Sequence, residues 1–255
     1  MALPASTVLS TIEDIQPFRD EFRREMNCQI TKDSIHYRPG WTTQYCVCAD
    51  GKPAGYGTVA IAGPWRGKPT IIEFYLLPAM RHRSFELFDS FLLACGADYF
   101  EVQSNVPILP VMLHTYGRDT AAEAIVFAEG LTTHHPANGA VLGALTGEAE
   151  IRNAMRDRQG GGEWTLTMDG DEVARGGILF HYNEPFGDIY MEVHESYRRR
   201  GYGMYLVQEL KRVCRELGSI PCARCNRDNA ASRRTLQKAG FVPSAAIVTA
   251  SISRA

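Results

Sequence analysis

Asp188-Ile189-Tyr190-Met191-Glu192-Val193, followed by Tyr197-Arg198-Arg199-Arg200-Gly201-Tyr202-Gly203 and then Met204 to Val213, decides how this chain is read. The first run alternates as a strand does, the second is an arginine- and glycine-rich turn, and the third has the spacing of an amphipathic helix. A strand that feeds a helix through such a turn makes an anion site. Glycine lets backbone approach a ligand where a Cβ would collide. The first helical turn offers unpaired N–H groups and the positive end of the helix dipole. Three consecutive arginines add cationic charge, and a diphosphate is the expected guest. The competing interpretation is a plain strand-to-helix connection with solvated arginines.

Downstream, Ile220 to Cys225 reads as a strand and Asn229 to Ala239 as a helix that Gly240 ends. From Arg198 to Lys238 there are eleven Lys or Arg, opposed only by Glu209, Glu216 and Asp228, in a chain of net charge −2. A basic segment inside a mildly acidic chain suits a compact anion and argues against a nucleic-acid partner. With 45% hydrophobic and 22% charged residues among 255, the composition is that of an ordinary globular protein of one large or two small domains.

Working back to the start, Thr7–Ser10 and Ile12–Met26 are predicted as a strand and a helix. A hairpin is expected around Asp50-Gly51, then a strand over 70–77, a helix over 81–95, a strand over 99–102, a helix over 108–115 and a strand over 123–127. The polar run from Gly130 to Gly139 is the expected boundary. The second half repeats the order: a strand over 140–146, a helix over 148–158, a hairpin around Asp169-Gly170, and then the opening stretch. A final strand is predicted over 241–252. The repeat has a residue-level signature. Leu76-x-Pro78-x-x-Arg81-x-x-Ser84-x-Glu86 matches Val193-x-Glu195-x-x-Arg198-x-x-Gly201-x-Gly203 at a constant offset of 117. Ser84 and Glu86 replace the two glycines, so the first copy is expected to have lost the anion site.

Arg198-x-x-Gly201-x-Gly203 after a strand, with Asn229 to Phe241 carrying Lys238-Ala239-Gly240-Phe241, resembles the acetyl-CoA signature and the later Asn…Lys-x-Gly-Phe helix of the GNAT N-acetyltransferase superfamily. The resemblance covers about residues 140–252, and the first half resembles the family only in element order. It implies an α/β chain with mixed sheets and two tandem GNAT-like acyl-CoA N-acyltransferase domains, a degenerate one at 1–135 and an acetyl-CoA-binding one at 136–255. It implies a bulged, splayed organising strand. Pantetheine would pair near Met191 and Val193, and diphosphate would sit against Arg198, Arg199, Arg200, Gly201, Tyr202, Gly203 and Met204. Asn229 and Ser232, with Arg233, are implied near the pantetheine arm.

An amine of pKa about 10 must lose a proton before it attacks a thioester. Glu192 is the candidate base, with Asp188 and Glu195 as alternatives. The tyrosine that many family members place on the last helix is Leu236 here, leaving Tyr190, Tyr202 or water as acid. Arg224 stands where some relatives carry a glutamate and is open to either a substrate carboxylate or a structural ion pair. The expected function is acetyl transfer from acetyl-CoA to a primary amine of a small molecule; the alternative is a non-catalytic acyl-CoA sensor.

Seven cysteines, no secretory leader and no membrane-spanning run make a reducing cytoplasm the expected setting. Cys222-x-x-Cys225 lacks a second ligand pair and His134-His135 reads as loop, so no metal is expected. The oligomeric state stays open between a monomer, as a pseudo-dimer of its halves, and a homodimer.

Overall fold

The computed structural model describes residues 5–136 and 139–253. In chain order its elements are β1 (Ser6–Ser10), α1 (Ile12–Met26), β2 (Thr42–Ala49), β3 (Lys52–Ala60), β4 (Thr70–Leu76), α2 (Ser84–Cys95), β5 (Tyr99–Gln103), α3 (Leu109–Tyr116) and β6 (Gly117–Glu129). The same order then returns as β7 (Val141–Ala144), α4 (Glu148–Asp157), β8 (Gly161–Met168), β9 (Asp171–Leu179), β10 (Phe186–Val193), α5 (Tyr202–Glu216), β11 (Ile220–Asn226), α6 (Ala230–Lys238) and β12 (Phe241–Ile252). The helix expected over 81–95 is two pieces, a 3₁₀ segment Pro78–Arg83 and α2. Ala137 and Asn138 of the expected boundary lie outside the described residues.

Two compact units emerge, and neither is a single run of chain. The first takes Met1–Asn27, Ile35–Glu123 and Ala246–Ala255; the second takes Cys28–Ser34 and Ala124–Ala245. The strands β6 and β12 each contribute residues to both units, so the units are not divided by one cut near residue 135.

In the first unit the strand order is β1-β2-β3-β4-β5-β12, antiparallel except for β4 and β5. Helix α1 opens on a Thr11–Asp14 capping box, in which side chain and backbone satisfy each other's free N–H groups. Phe74, Phe88, Phe91 and Phe100 make the aromatic centre of the core. A Cβ on Gly57 would stand 2.4 Å from the Phe91 ring, so only glycine lets that ring lie on β3. Beneath α1 lies a polar group of buried Arg19, His36, Tyr56 and Glu73. Tyr56 donates to Glu73 Oε2 at 2.8 Å, and His36 Nε2 is 3.1 Å from the same oxygen.

The second unit orders its strands β6-β11-β10-β9-β8-β7, antiparallel except for β10 and β11. Leu206, Val207, Leu210 and Cys214 of α5 pack on Ile178, Ile189 and Ala223 of the sheet, and Leu236 anchors α6 in the same core. Residues 28–34 are tied into this unit. The side chain of Asn183 accepts from Ile30 N and donates to Cys28 O, and Gln29 donates to the Phe127 carbonyl.

The feature that positions the site is a fork. β10 pairs with β11 only from Phe186 to Ile189. Beyond that point β10 stays on β9 to Val193, while β11 stays on β6 to Asn226. The expected bulge is not in β10, whose register on β9 is continuous from Asp188 to Val193. A bulge does occur at the matching fork of the first unit. There β4 pairs with β5 only at Thr70 and Ile71, and the β3–β4 ladder skips Ile72.

Candidate active site

A cavity of about 670 Å³ opens beside the fork of the second unit, between the end of β10, the start of α5 and one face of α6. Met191 and Val193 of β10 line it, as do Arg198, Arg199, Gly201, Tyr202, Gly203 and Met204 of the turn and first helical turn. Asn229 and Ser232 line it from α6. Arg200 does not; its guanidinium lies over the Tyr197 ring, 5.4 Å from the centroid. Arg233 lines a smaller neighbouring cavity of about 350 Å³ instead.

The turn is built by two glycines with different duties. Gly201 has φ of 91° and caps α5 in the left-handed region, where a Cβ is strained whatever the space. Gly203 has ordinary helical backbone, but a Cβ there would stand 3.1 Å from Val193 Cγ2 and 3.4 Å from Thr235 Cγ2. Its absence lets the first turn of α5 close down on β10 and α6, with the first N–H groups of α5 lacking helical acceptors. Arg198 is fixed by donating from Nε to the Val193 carbonyl at 3.2 Å.

The first unit repeats this contact: Arg81 Nε donates to the Leu76 carbonyl, also at 3.2 Å. The rest of that turn has changed. Ser84 is right-handed, with φ of −58°, and α2 continues directly from the 3₁₀ segment. Arg81 is bound by both oxygens of Glu25, and Arg83 by Glu86 and Asp50. Carboxylates of the chain itself thus neutralise the arginines there. At the fork, Phe74 and Leu76 are fully buried where Met191 and Val193 line a cavity.

Electrostatics separates the two turns further. In the second unit Arg152, Arg156, Arg158, Arg175, Arg212, Arg215 and Arg227 all have carboxylate partners. Arg198, Arg199, Arg234 and Lys238, which surround the cavity, have none among the described residues, and Glu192 is the one acid lining it. Unpaired cations around free helix N–H groups attract an anion strongly.

Sequence reasoning missed Tyr197, Ala231, Arg234, Thr235 and Lys238 as lining residues. The signal was present, because 231, 234, 235 and 238 share one helical face.

Among the catalytic candidates, Glu192 lines the cavity and stands opposite Arg175 in the β9–β10 register. Tyr190 does not line it. Its ring lies over Gly177 of β9, and its hydroxyl donates to Glu163 on β8 at 2.8 Å. Burial and then that bond push its pKa up to about 12. Asp188 is buried with His181 at 3.2 Å and Arg224 at 3.6 Å, so Arg224 takes part in an ion pair. Tyr202 lines the cavity, whereas Leu236 is core. Cys222 packs with Tyr182 and Phe186, while Cys225 joins the core under α5. They lie on opposite faces of β11 and cannot share an ion.

A model of the Acetyltransferase (GNAT) family matches residues 135–241. The chain carries a GNAT domain. That family transfers acyl groups from acyl-CoA. An acetyltransferase of the GNAT family from Colwellia psychrerythraea is 11% identical and superposes with a TM-score of 0.70, covering 98% of this chain and 100% of its own. A tandem GNAT protein from the clavulanic acid biosynthesis pathway is 15% identical with a TM-score of 0.63, covering 98% and 99%. A GCN5-related N-acetyltransferase from Sphaerobacter thermophilus is 14% identical, with a TM-score of 0.59 over 98% and 96%. At these identities the likeness is one of fold: two GNAT-like units in tandem. No curated protein matches the chain in sequence.

Proposed function

We propose that the second GNAT-like unit transfers an acetyl group from acetyl-CoA to the primary amine of a small molecule. The observation that carries this is the cavity at the fork, where Arg198, Arg199, Arg234 and Lys238 have no carboxylate partner and the first N–H groups of α5 are open. These groups fit the diphosphate of acyl-CoA, with Gly201 and Gly203 keeping the turn narrow. Arg200 belongs to a looser outer ring of charge. Along Met191 and Val193, past the last pairing to β11, the strand edge supports pantetheine binding, and Asn229 and Ser232 face it. Acyl-CoA supplies an acyl group already activated as a thioester.

The chain's own part is to take a proton and exclude water. Glu192 is the base in this proposal, because it is the acid lining the cavity and stands three residues past Ile189, the last residue of β10 paired to β11. Proton return falls to Tyr202 or solvent, since the Tyr190 hydroxyl is engaged with Glu163 and Leu236 has none. A non-catalytic acyl-CoA sensor is the second reading, favoured by the apolar, buried Leu236. The repeat that binds acetyl-CoA is assigned to residues 136–255 and the degenerate one to 1–135. A cytoplasmic location accords with the absence, among the described residues, of any helix long and apolar enough to cross a membrane.

Release of free CoA, followed across a panel of small amines, tests the assignment. Turnover with at least one amine is expected, and Glu192→Gln should lower kcat about 100-fold with CoA affinity within twofold. CoA binding without turnover on any amine would favour the sensor, and an unchanged pH–rate profile in the variant would remove Glu192 as base.

A further inference from the structure

Acyl transfer makes no use of the thiols on β2 of the first unit. Cys46 and Cys48 are both half-buried, and their Sγ atoms are 3.9 Å apart. Side chains two positions apart on a strand leave it roughly 6.5 Å apart, so these two converge. The β2–β3 ladder is irregular here, passing from Val47–Gly55 to Cys48–Pro53 and skipping Ala54. The other thiols are disposed differently. Cys214, Cys222 and Cys225 are buried, and Cys28 and Cys95 donate to nearby carbonyls.

Two thiolates held at about 2.3 Å from one ion with a tetrahedral angle stand about 3.8 Å apart. A disulfide would require about 2.05 Å. The observed separation therefore suits chelation of one ion between the sulfurs. We propose that Cys46 and Cys48 form a bidentate dithiolate site for a thiophilic divalent cation of tetrahedral preference, zinc(II) or its analogue cadmium(II). As each metal–sulfur bond forms, the corresponding Sγ gives its proton to solvent, so one ion displaces two protons. No third His, Cys, Asp or Glu joins the pair among the described residues. Water completes the tetrahedral coordination.

Cadmium(II) titration, followed by the ultraviolet sulfur-to-cadmium charge-transfer band, tests the site on the full chain. One ion per chain is expected, with affinity falling at least tenfold in each of Cys46→Ser and Cys48→Ser and unchanged in Cys95→Ser. Alkylation of the wild-type chain by N-ethylmaleimide, with peptide mapping, should show cadmium protecting Cys46 and Cys48 together. Wild-type affinity in either β2 variant, or protection of only one or neither of the two thiols, would overturn the proposal. If the serine variants do not fold, the protection pattern of the wild-type chain decides alone.

Discussion

A single position shows how little separates a competent turn from a silent one. Gly203 and Glu86 are equivalent in the two copies. In the first, the Glu86 carboxylate binds Arg83, and that bond, outweighing the opposite effect of desolvation, draws its pKa down. Gly203→Glu would bring the same charge, and a Cβ already crowded by Val193 and Thr235, into the second turn. CoA affinity measured by calorimetry should fall on the order of 100-fold, about 2.7 kcal/mol, with the far-ultraviolet dichroism unchanged. Unaltered affinity would place the diphosphate elsewhere.

Among the elements, α6 bears most on the cavity yet is held by few contacts. Leu236 is its buried side chain, and its C-terminal end is tied down by a residue of α5. The ammonium of buried Lys211 donates to the Ala239 carbonyl at 2.8 Å and to that of Leu131, with Glu129 at 3.4 Å and the Phe241 ring beneath. His135 adds a contact from its ring to the Lys238 carbonyl. Lys211→Met keeps the apolar stem but leaves those carbonyls without their donor, which should cost about 1–3 kcal/mol of stability. Because Arg234 and Lys238 ride on α6, KM for the acyl donor should rise several-fold while kcat changes little. A variant that loses stability in urea titration with KM unmoved would make Lys211 a structural residue only.

At the scale of the molecule the two units should differ in ligand binding and in acid sensitivity. One CoA per chain is expected by calorimetry, since the arginines of the first turn are already neutralised; a stoichiometry of two would contradict this. Acid should disturb the first unit through Glu73. Burial by itself would raise this carboxyl's pKa, but His36, Arg19 and Tyr56 overcome it and hold it at about 2. A folded pKa below the unfolded value means the stabilisation is complete above the unfolded carboxylate range and is lost as pH falls through the folded one. Stability of the first unit should thus decline between roughly pH 4.5 and 2. In Glu73→Gln that decline should be shallower, from a starting stability about 3–5 kcal/mol lower. An identical acid transition in both proteins would refute the role given to Glu73.

Much of this organisation was legible in the chain itself. The repeated element order, the offset that pairs Arg81 with Arg198, and the glycines at 201 and 203 are local facts. Strand alternation, helical spacing and the need for a left-handed backbone at Gly201 are set within a few residues of each position. What needed the tertiary structure was every property that depends on a distant partner. The fork exists because β11 follows β6 and β10 follows β9, and neither strand encodes where the other will leave it. The direction of Tyr190 follows from Gly177 and Glu163, residues of other strands. The cations of the cavity stand out because most arginines elsewhere in the unit meet carboxylates, Arg158, Arg215 and Arg224 across remote stretches of chain and the others within four residues. Sequence proximity fixes local conformation; pairing of charges and the parting of strands are settled by which segments the fold brings side by side.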